Sequence, residues 1–235
     1  NLSFLLTTIC DIATIYGPHI KGYGMRNLYR NFTDSLKLMN RQEISQESFE
    51  KYEENWLEKI IENQKNGVVE EKEEDPYEEY KLVNEVKWKS LNDEKQIKFT
   101  GRSIGGCFDS IENLIGTKYD NVKEYIEKYK DDGIVWFLEI FDMSTTRLYM
   151  KLLQMKNAGY FKNCNGIIFG RSLILREEYD MNFEETVKKA IGNLNIPIIY
   201  DADIGHLAPQ INIVNGAILE ITSENGRGNI KTYFR

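Results

Sequence analysis

The chain has 235 residues and carries 37 acidic against 30 basic side chains, which gives a formal net charge of −7 at pH 7. Nucleic acids and anionic membranes attract clustered lysine and arginine, so this composition argues against both and leaves a small or peptidic partner. The three cysteines, Cys10, Cys107 and Cys164, have long and unrelated spacings that indicate neither a disulfide framework nor a zinc site, and we expect a reducing cytoplasm.

The first apolar stretch, residues 2–20, predicts a core helix followed by a short strand. Its apolar side chains recur at helical spacing, and residues 13–18 read as a strand ended by Gly-Pro. Asp11 and a proline interrupt the stretch as a membrane span, and it lacks the basic leader and cleavage site of a signal peptide. Because the chain begins at Asn1 rather than Met, we expect that a preceding segment has been removed.

The next part of the chain is polar and charged. It predicts helices near residues 27–38 and 46–64. The acidic run at residues 70–75 is expected to loop through solvent, because a run of like charges cannot pack.

The character of the sequence changes near residue 94, where we place a domain boundary. We predict that residues 1–93 form the remnant of an amino-terminal α/β domain, with a charged helical insertion and a linker, and that residues 94–235 form a carboxyl-terminal domain. Strands then alternate with helices, which indicates parallel strands with crossover helices. The predicted elements are a strand at 134–140, a helix at 145–158, a strand at 166–169, a helix at 183–194 and a strand at 196–200.

The last part of the chain, residues 210–234, contains two turn signals between β-rich segments. These signals, Asn215-Gly216 and Asn225-Gly226, predict antiparallel hairpins. The expected fold class is therefore α/β: a partial amino-terminal, flavodoxin-like domain, and a carboxyl-terminal domain with parallel strands and antiparallel hairpins.

One carboxylate, Glu139, lies inside an otherwise apolar run. Six of the seven residues 134–140 are strongly apolar, which predicts a strand buried on both faces, where an unpaired charge is costly. Glu139 therefore needs a partner. One of the chain's two histidines, His206, follows the predicted strand at 196–200, in the kind of loop where open α/β sheets place reactive groups. The two residues suggest two thirds of a catalytic triad, with a surface or capping histidine as the alternative.

Other partners for the histidine are weaker candidates. Asp142, Asp201 and Asp203 lie near strand ends, where a carboxylate costs little to place. A metal site built from His19, His206 and nearby aspartates has no support in the spacing, so neither a metal nor a cofactor is expected.

Residues 101–105 match the Gly-x-Ser-x-Gly pattern of a nucleophile elbow, which requires a strand before the serine and a helix after it. The pattern has few fixed positions and occurs often by chance. We therefore favour a close backbone approach at Gly105 and Gly106 over a nucleophile at Ser103. Cys107 as a thiol nucleophile would need a nearby base and a depressed pKa, so a buried apolar role is favoured.

Four blocks in the carboxyl-terminal half resemble, in order, the LD-carboxypeptidases, a family of serine peptidases that includes the microcin-immunity peptidases. The second block is similar to the family's strand with the catalytic glutamate, and the fourth to its catalytic-histidine loop. Upstream, residues 1–18 resemble the helix and Tyr-Gly-Pro strand that follow the family's nucleophile, whereas residues 26–93 match poorly. The four blocks are residues 103–117, 137–142, 166–171, and 201–209 together with 214–217.

The resemblance implies a Ser-His-Glu triad. Glu139 would orient and stabilise the imidazolium of His206, and His206 would act as general base and then as general acid. The nucleophilic serine is expected in a Gly-aromatic-Ser-Asp motif a few residues before Asn1, so this chain alone would be inactive. Gly105 and Gly106 are candidate substrate-binding residues.

The resemblance leaves the substrate open. A cell-wall (murein) peptide, cleaved at the amide to its terminal D-amino acid during peptidoglycan recycling, is the first hypothesis, and an aminoacyl-nucleotide antibiotic, cleaved for immunity, is the second. The microcin-immunity branch places a lysine four residues after the catalytic glutamate, whereas this chain has Met143, which weakens the case for an aspartyl substrate. A third hypothesis is an inactive, truncated binding module. Complete members are expected to be cytoplasmic and to form homodimers, and whether this chain pairs stays open.

Overall fold

A computed structural model of the chain describes residues 2–18, 28–67 and 79–234. The helices are α1 Leu2–Cys10, α2 Tyr29–Met39, α3 Trp56–Lys65, α4 Phe108–Ile111, α5 Val122–Lys128, α6 Thr145–Asn157 and α7 Phe183–Ile191. The strands are β1 Thr14–Tyr16, β2 Ile44–Glu47, β3 Lys51–Glu53, β4 Leu82–Glu85, β5 Lys89–Ser90, β6 Gln96–Cys107, β7 Ile134–Glu139, β8 Asp142–Ser144, β9 Cys164–Gly170, β10 Ile174–Arg176, β11 Ile198–Ala202, β12 Ile213–Asn215, β13 Ile218–Glu224 and β14 Arg227–Tyr233.

Within the described residues an eight-stranded mixed sheet runs in the order β2-β14-β13-β6-β7-β9-β11-β5. The central strands β6, β7, β9 and β11 are parallel neighbours, and the outer strands pair antiparallel. This arrangement confirms the predicted α/β class with parallel strands and antiparallel hairpins. Strands from both sides of residue 93 enter the sheet, and the domain boundary there stays a prediction.

Three of the described helices begin at side-chain caps that the sequence encodes. At α3 the Asn55 side chain accepts a hydrogen bond from the Glu58 N–H. Ser144 accepts a hydrogen bond from the Arg147 N–H at the start of α6. Asn182 and Glu185 form a reciprocal capping box at the start of α7, which satisfies amide groups that a helix end otherwise leaves unpaired. The predicted helices at 145–158 and 183–194 are confirmed, the second continuing as a short 3-10 turn. No helix among the described residues is both long and apolar enough to cross a membrane.

The two turn signals near the carboxyl terminus differ in outcome. Asn225 and Gly226 both have positive φ, 50° and 84°, and close the β13–β14 hairpin as predicted. Asn215-Gly216 does not form a hairpin, because β12 pairs with β1 instead of with β13. The prediction failed because the partner strand lies some 200 positions earlier in the chain, where a local turn signal carries no information.

The helix predicted over residues 46–64 is correct only in its second half. Residues of β2 pair with β14, and β3 pairs with β4, before α3 begins at Trp56. Tertiary pairing therefore overrides local helix propensity. The helix predicted at 27–38 corresponds to α2, whereas the acidic run at 70–75 and His19 lie outside the described residues.

Strand β7 is fully buried on both faces, as predicted. Trp136 and Leu138 face the helices α4 to α7 in one apolar cluster, and Val135 and Phe137 face the opposite cluster. Because side chains alternate along a strand, Glu139 lies on the same face as Phe137. That face is the one covered by β1, β12 and the loop after β11.

Candidate active site

Glu139 and His206 are in direct contact, although 66 residues separate them in the sequence. The Glu139 side chain is fully buried at the end of β7, and its Oε2 lies 2.9 Å from His206 Nδ1. The His206 side chain is 36% exposed, and the Phe141 ring packs edge-on against it with centroids 4.8 Å apart. With Nδ1 directed at the carboxylate, the Nε2 lone pair is left for an incoming proton, which is the geometry a general base requires.

Charges around His206 favour its protonated form. Burial alone would lower the pKa of His206, but the hydrogen bond and charge of Glu139, with the charge of Asp109, raise it above its ordinary value. Asp109 is held near the site because its carboxylate accepts the N–H groups of Phe141 and Asp142, at 2.9 and 3.1 Å. The imidazole of a histidine can both accept and return a proton, which is what a general base and then a general acid must do.

Two further groups contact Glu139. The Tyr16 hydroxyl donates to Oε1 at 2.6 Å. Cys107 lies opposite Glu139 in the β6–β7 ladder, and burial with the charges of Glu139 and Asp109 raises the pKa of its thiol to about 12. Cys107 is therefore a neutral thiol at physiological pH, and the structure does not support a thiolate nucleophile there.

Gly205 allows the backbone before His206 to pass close to Glu139. Its φ is +117°, a conformation that side chains disfavour. A Cβ atom at this position would lie 3.1 Å from Glu139 Oε2 and 3.2 Å from Glu139 Cβ. The glycine before the histidine thus has a direct packing role in the pair.

A buried ion pair lies beneath the His206 loop, and it was not predicted from the sequence. Arg171 Nη1 lies 2.7 Å from Asp203 Oδ1. Asp203 Oδ2 also accepts the Trp88 indole N–H at 3.0 Å and the Phe49 N–H at 3.2 Å. The expectation that Asp203 occupies an inexpensive strand-end position is wrong, because its side chain is fully buried. The signal was Arg171, a cation directly after a buried strand.

The poorly matched region before residue 94 also holds the loop. Glu53 accepts the Ala208 N–H on Oε1 at 2.7 Å and donates its own N–H to the Ala208 carbonyl at 2.8 Å. Gln46 exchanges two hydrogen bonds with the Asn212 backbone, at 2.7 and 3.2 Å. No motif in the sequence pointed to these two residues.

The remaining candidates lie apart from this pair. Ser103 is in the middle of β6, fully buried, and its hydroxyl donates to the carbonyls of Val214 and Ala217, so the nucleophile-elbow interpretation is wrong. At Gly105 a Cβ would lie 1.7 Å from the Phe137 carbonyl oxygen, which confirms a close backbone approach there. Substrate binding by Gly105 and Gly106 stays a prediction.

The rival aspartates have other partners. Asp142 pairs with Arg176, and Asp201 pairs with Lys89 at 2.7 Å. The described part of the chain contains no group of three or more potential metal ligands.

A family model described as the LD-carboxypeptidase C-terminal domain matches residues 100–221, more than half of the chain. A search of curated proteins finds no match. The chain spans only about two thirds of the length of the solved structures described next, and at their low sequence identity they establish the fold alone.

Three solved structures share the fold. The microcin C7 self-immunity protein MccF, in complex with aspartyl sulfamoyl adenosine, has a TM-score of 0.69 at 17% identity, covering 100% of this chain and 64% of that one. An MccF-like protein from Bacillus anthracis str. Ames gives 0.67 at 21% identity, covering 100% and 65%. A muramoyltetrapeptide carboxypeptidase from Oxalobacter formigenes gives 0.65 at 15% identity, covering 99% and 65%. The match of the family model over residues 100–221, in a chain with this fold, shows that the chain belongs to the LD-carboxypeptidase family.

Proposed function

We propose that the protein to which this chain belongs is a serine carboxypeptidase that hydrolyses the amide to a terminal D-amino acid in murein peptides. The observation that carries the proposal is the contact between Glu139 Oε2 and His206 Nδ1 at 2.9 Å. It joins a buried carboxylate to a partly exposed imidazole, the two members of a Ser-His-Glu triad that the family resemblance assigns to these positions.

In the proposed reaction His206 Nε2 takes the proton of a serine hydroxyl as the serine oxygen attacks the amide carbonyl. The imidazolium then gives this proton to the leaving amine of the D-amino acid, and a water molecule hydrolyses the acyl-enzyme. Glu139 stabilises the imidazolium through both steps. The resemblance assigns the serine to a segment before Asn1, so the proposal concerns the protein that carries that segment, and the chain alone would be inactive.

The surroundings of Met143 support a murein peptide over an aspartyl-nucleotide. Met143 occupies the position at which the microcin-immunity branch has a lysine that reads an acidic side chain. Its side chain is apolar and fully buried in the cluster on the helix side of the sheet. Met143 therefore offers no charge to an acidic substrate. Hydrolysis of an aminoacyl-nucleotide is the second candidate, since the MccF structure is a complex with aspartyl sulfamoyl adenosine. An inactive binding module is the third.

Other properties follow as parts of the same proposal. We place the enzyme in the cytoplasm. This placement is supported by the three cysteines, which the structure describes and which form no disulfide. We propose that it needs no metal or cofactor, whereas its pairing as a homodimer stays open.

The test uses the protein with its upstream serine segment. Glu139→Gln and His206→Ala should each lower kcat by roughly 10³- to 10⁶-fold, because triad members act as a unit. Asp201→Asn is the matched control, since this carboxylate lies on β11 shortly before the His206 loop but pairs with Lys89, and it should retain activity. A loss below tenfold in either triad variant, with folding intact, would contradict the proposal.

The substrate is decided by parallel assays. A disaccharide-free murein tetrapeptide and an aspartyl-adenylate analogue are offered to the wild-type protein, and release of the terminal D-amino acid or of the nucleotide is measured. Turnover of the tetrapeptide alone supports the first candidate, and turnover of the analogue alone overturns it in favour of the second. If a protein that carries the serine segment turns over neither substrate, the result favours the binding module.

A further inference from the structure

Tyr16 reaches Glu139 from a part of the chain that precedes the carboxyl-terminal half. Strand β1 pairs antiparallel with β12, and this ladder sets Tyr16 opposite Ile213. The Tyr16 ring packs against the Phe137 ring with centroids 5.5 Å apart. Because Phe137 and Glu139 are two residues apart on the same face of β7, the ring lies along the strand and its hydroxyl meets the carboxylate at 2.6 Å.

Each oxygen of Glu139 has a close donor of its own, and the Cys107 thiol also interacts with the carboxylate. Oε1 accepts the Tyr16 hydroxyl, and Oε2 contacts His206 Nδ1. The terminal torsion of a glutamate is soft, so a carboxylate held through one oxygen can rotate about its last bond. Two donors on different oxygens define the plane of the group and the direction of its free lone pairs.

We propose that Tyr16 is a positioning residue of the Glu139–His206 pair: its hydroxyl holds Oε1 and takes up part of the carboxylate charge, which sets both the orientation and the strength of the contact with His206. This inference rests on the proposed function, which gives the pair its catalytic meaning.

The titratable groups around the pair define the direction of the effect. Cys107 on β6, Asp109 on α4 and Tyr16 on β1 face Glu139 and His206. Burial and the neighbouring charge of Glu139 raise the pKa of Tyr16 far above its ordinary value, so its hydroxyl keeps the proton and donates. A donor on Oε1 stabilises the carboxylate whether or not His206 is charged, and it matters most when His206 is neutral. Without this donor, Glu139 should bind the His206 proton more strongly.

The first experiment measures this coupling without catalysis. The chain has two histidines, so a His19→Gln background leaves the imidazole of His206 as a single signal for titration by NMR. Tyr16→Phe should raise the pKa of His206 by roughly 0.5 to 1 pH unit, since the lost bond to a charged group acts unequally on the two protonation states.

The matched control is Tyr160→Phe. The Tyr160 hydroxyl also donates to a carboxylate, Asp120 Oδ1, at the same distance of 2.6 Å, but outside the site. Tyr160→Phe removes the same kind of hydrogen bond and should leave the titration of His206 unchanged. If Tyr16→Phe melts like Tyr160→Phe and His206 titrates as in the wild type, or with a lower pKa, the inference is overturned.

The second experiment uses the protein that carries the serine segment. The acidic limb of the kcat profile should move upward with the pKa of His206, so that kcat well below neutral pH falls roughly three- to tenfold while KM stays nearly constant. A merely structural role would leave the limb in place and would overturn the inference. If the titration shifts but the wild-type protein has no activity on any substrate, the coupling stands and the proposed function fails. An active protein with an unshifted titration overturns only the role of Tyr16.

Discussion

Replacing Arg171 with Met tests how firmly the His206 loop is held. The Arg171 and Asp203 side chains are 6% and 0% exposed. Arg171 also directs its guanidinium toward the carbonyls of Asp201 and Pro209, on either side of His206, at 3.4 and 3.5 Å. Arg171→Met keeps much of the side-chain length and removes the charge, so Asp203 keeps the two neutral donors Trp88 and Phe49 and loses its counter-ion.

The burial of the Arg171–Asp203 pair determines how much stability the substitution should cost. Removing one member of a buried ion pair leaves an uncompensated charge and typically costs about 3 to 5 kcal/mol, whereas an exposed pair contributes about 0 to 1 kcal/mol. Arg176→Met is the matched control, since the Arg176 and Asp142 side chains are 56% and 46% exposed. A double variant with Arg171→Met and Asp203→Asn should recover part of the loss, because a neutral amide can still accept from Trp88 and Phe49.

The assay is equilibrium unfolding in urea at neutral pH, with the slope of each transition checked for constancy. We expect the loss of stability to increase in the order Arg176→Met, double variant, Arg171→Met. This expectation is refuted if Arg171→Met costs no more than Arg176→Met, or if the double variant is no more stable than Arg171→Met alone. Either result would mean that Asp203 is solvated or neutral in the folded protein.

Two further predictions concern the pair itself. Gly205→Ala should lower the free energy of unfolding by roughly 1 to 3 kcal/mol. The control is Gly159→Ala, where φ is +85° but the added Cβ would meet no atom within 4 Å, so this variant should lose less stability. Equal losses would mean that crowding against Glu139 is negligible. Because the pKa of His206 is raised above its ordinary 6.5, this histidine stabilises the fold fully below that pH, and the contribution is lost as the pH rises through the raised pKa. The difference in unfolding free energy between wild type and His206→Gln should therefore shrink as the pH rises from below 6.5 through the raised pKa of His206. A difference that grows over this rise in pH would show that the sign is wrong.

The carboxyl-terminal elements could be predicted because their patterns are local. The apolar run of β7 and the capped helices α6 and α7 each carry a signal within a dozen residues. Alternation of strands and helices then favours a parallel sheet, and it places the loops that follow the strands at one edge. Glu139 and His206 follow from that rule, since Glu139 ends one parallel strand and His206 lies in the loop after another.

The supports of the site could not be predicted in the same way. Gln46 and Glu53 lie on short strands whose partners are distant in sequence, and Tyr16 reaches Glu139 across 123 positions. A strand of three or four residues has too few side chains to show a period. Pairing with distant strands decides the structure of such segments, and it produces no pattern in the local sequence. The burial of Asp203 could not be predicted for the same reason, because its donors Trp88 and Phe49 come from this part of the chain.

A buried carboxylate by itself does not mark an active site in this protein. The side chain of Glu112 is 1% exposed and pairs with Arg147, and Asp203 is buried against Arg171. Arginine stays charged at every accessible pH, so those two pairs cannot exchange a proton. Glu139 differs because its partner is a histidine that is partly exposed and can be neutral or charged near neutral pH. The identity and exposure of the partner, rather than the misplaced charge, therefore separate a group that can take part in proton transfer from groups that hold the fold together.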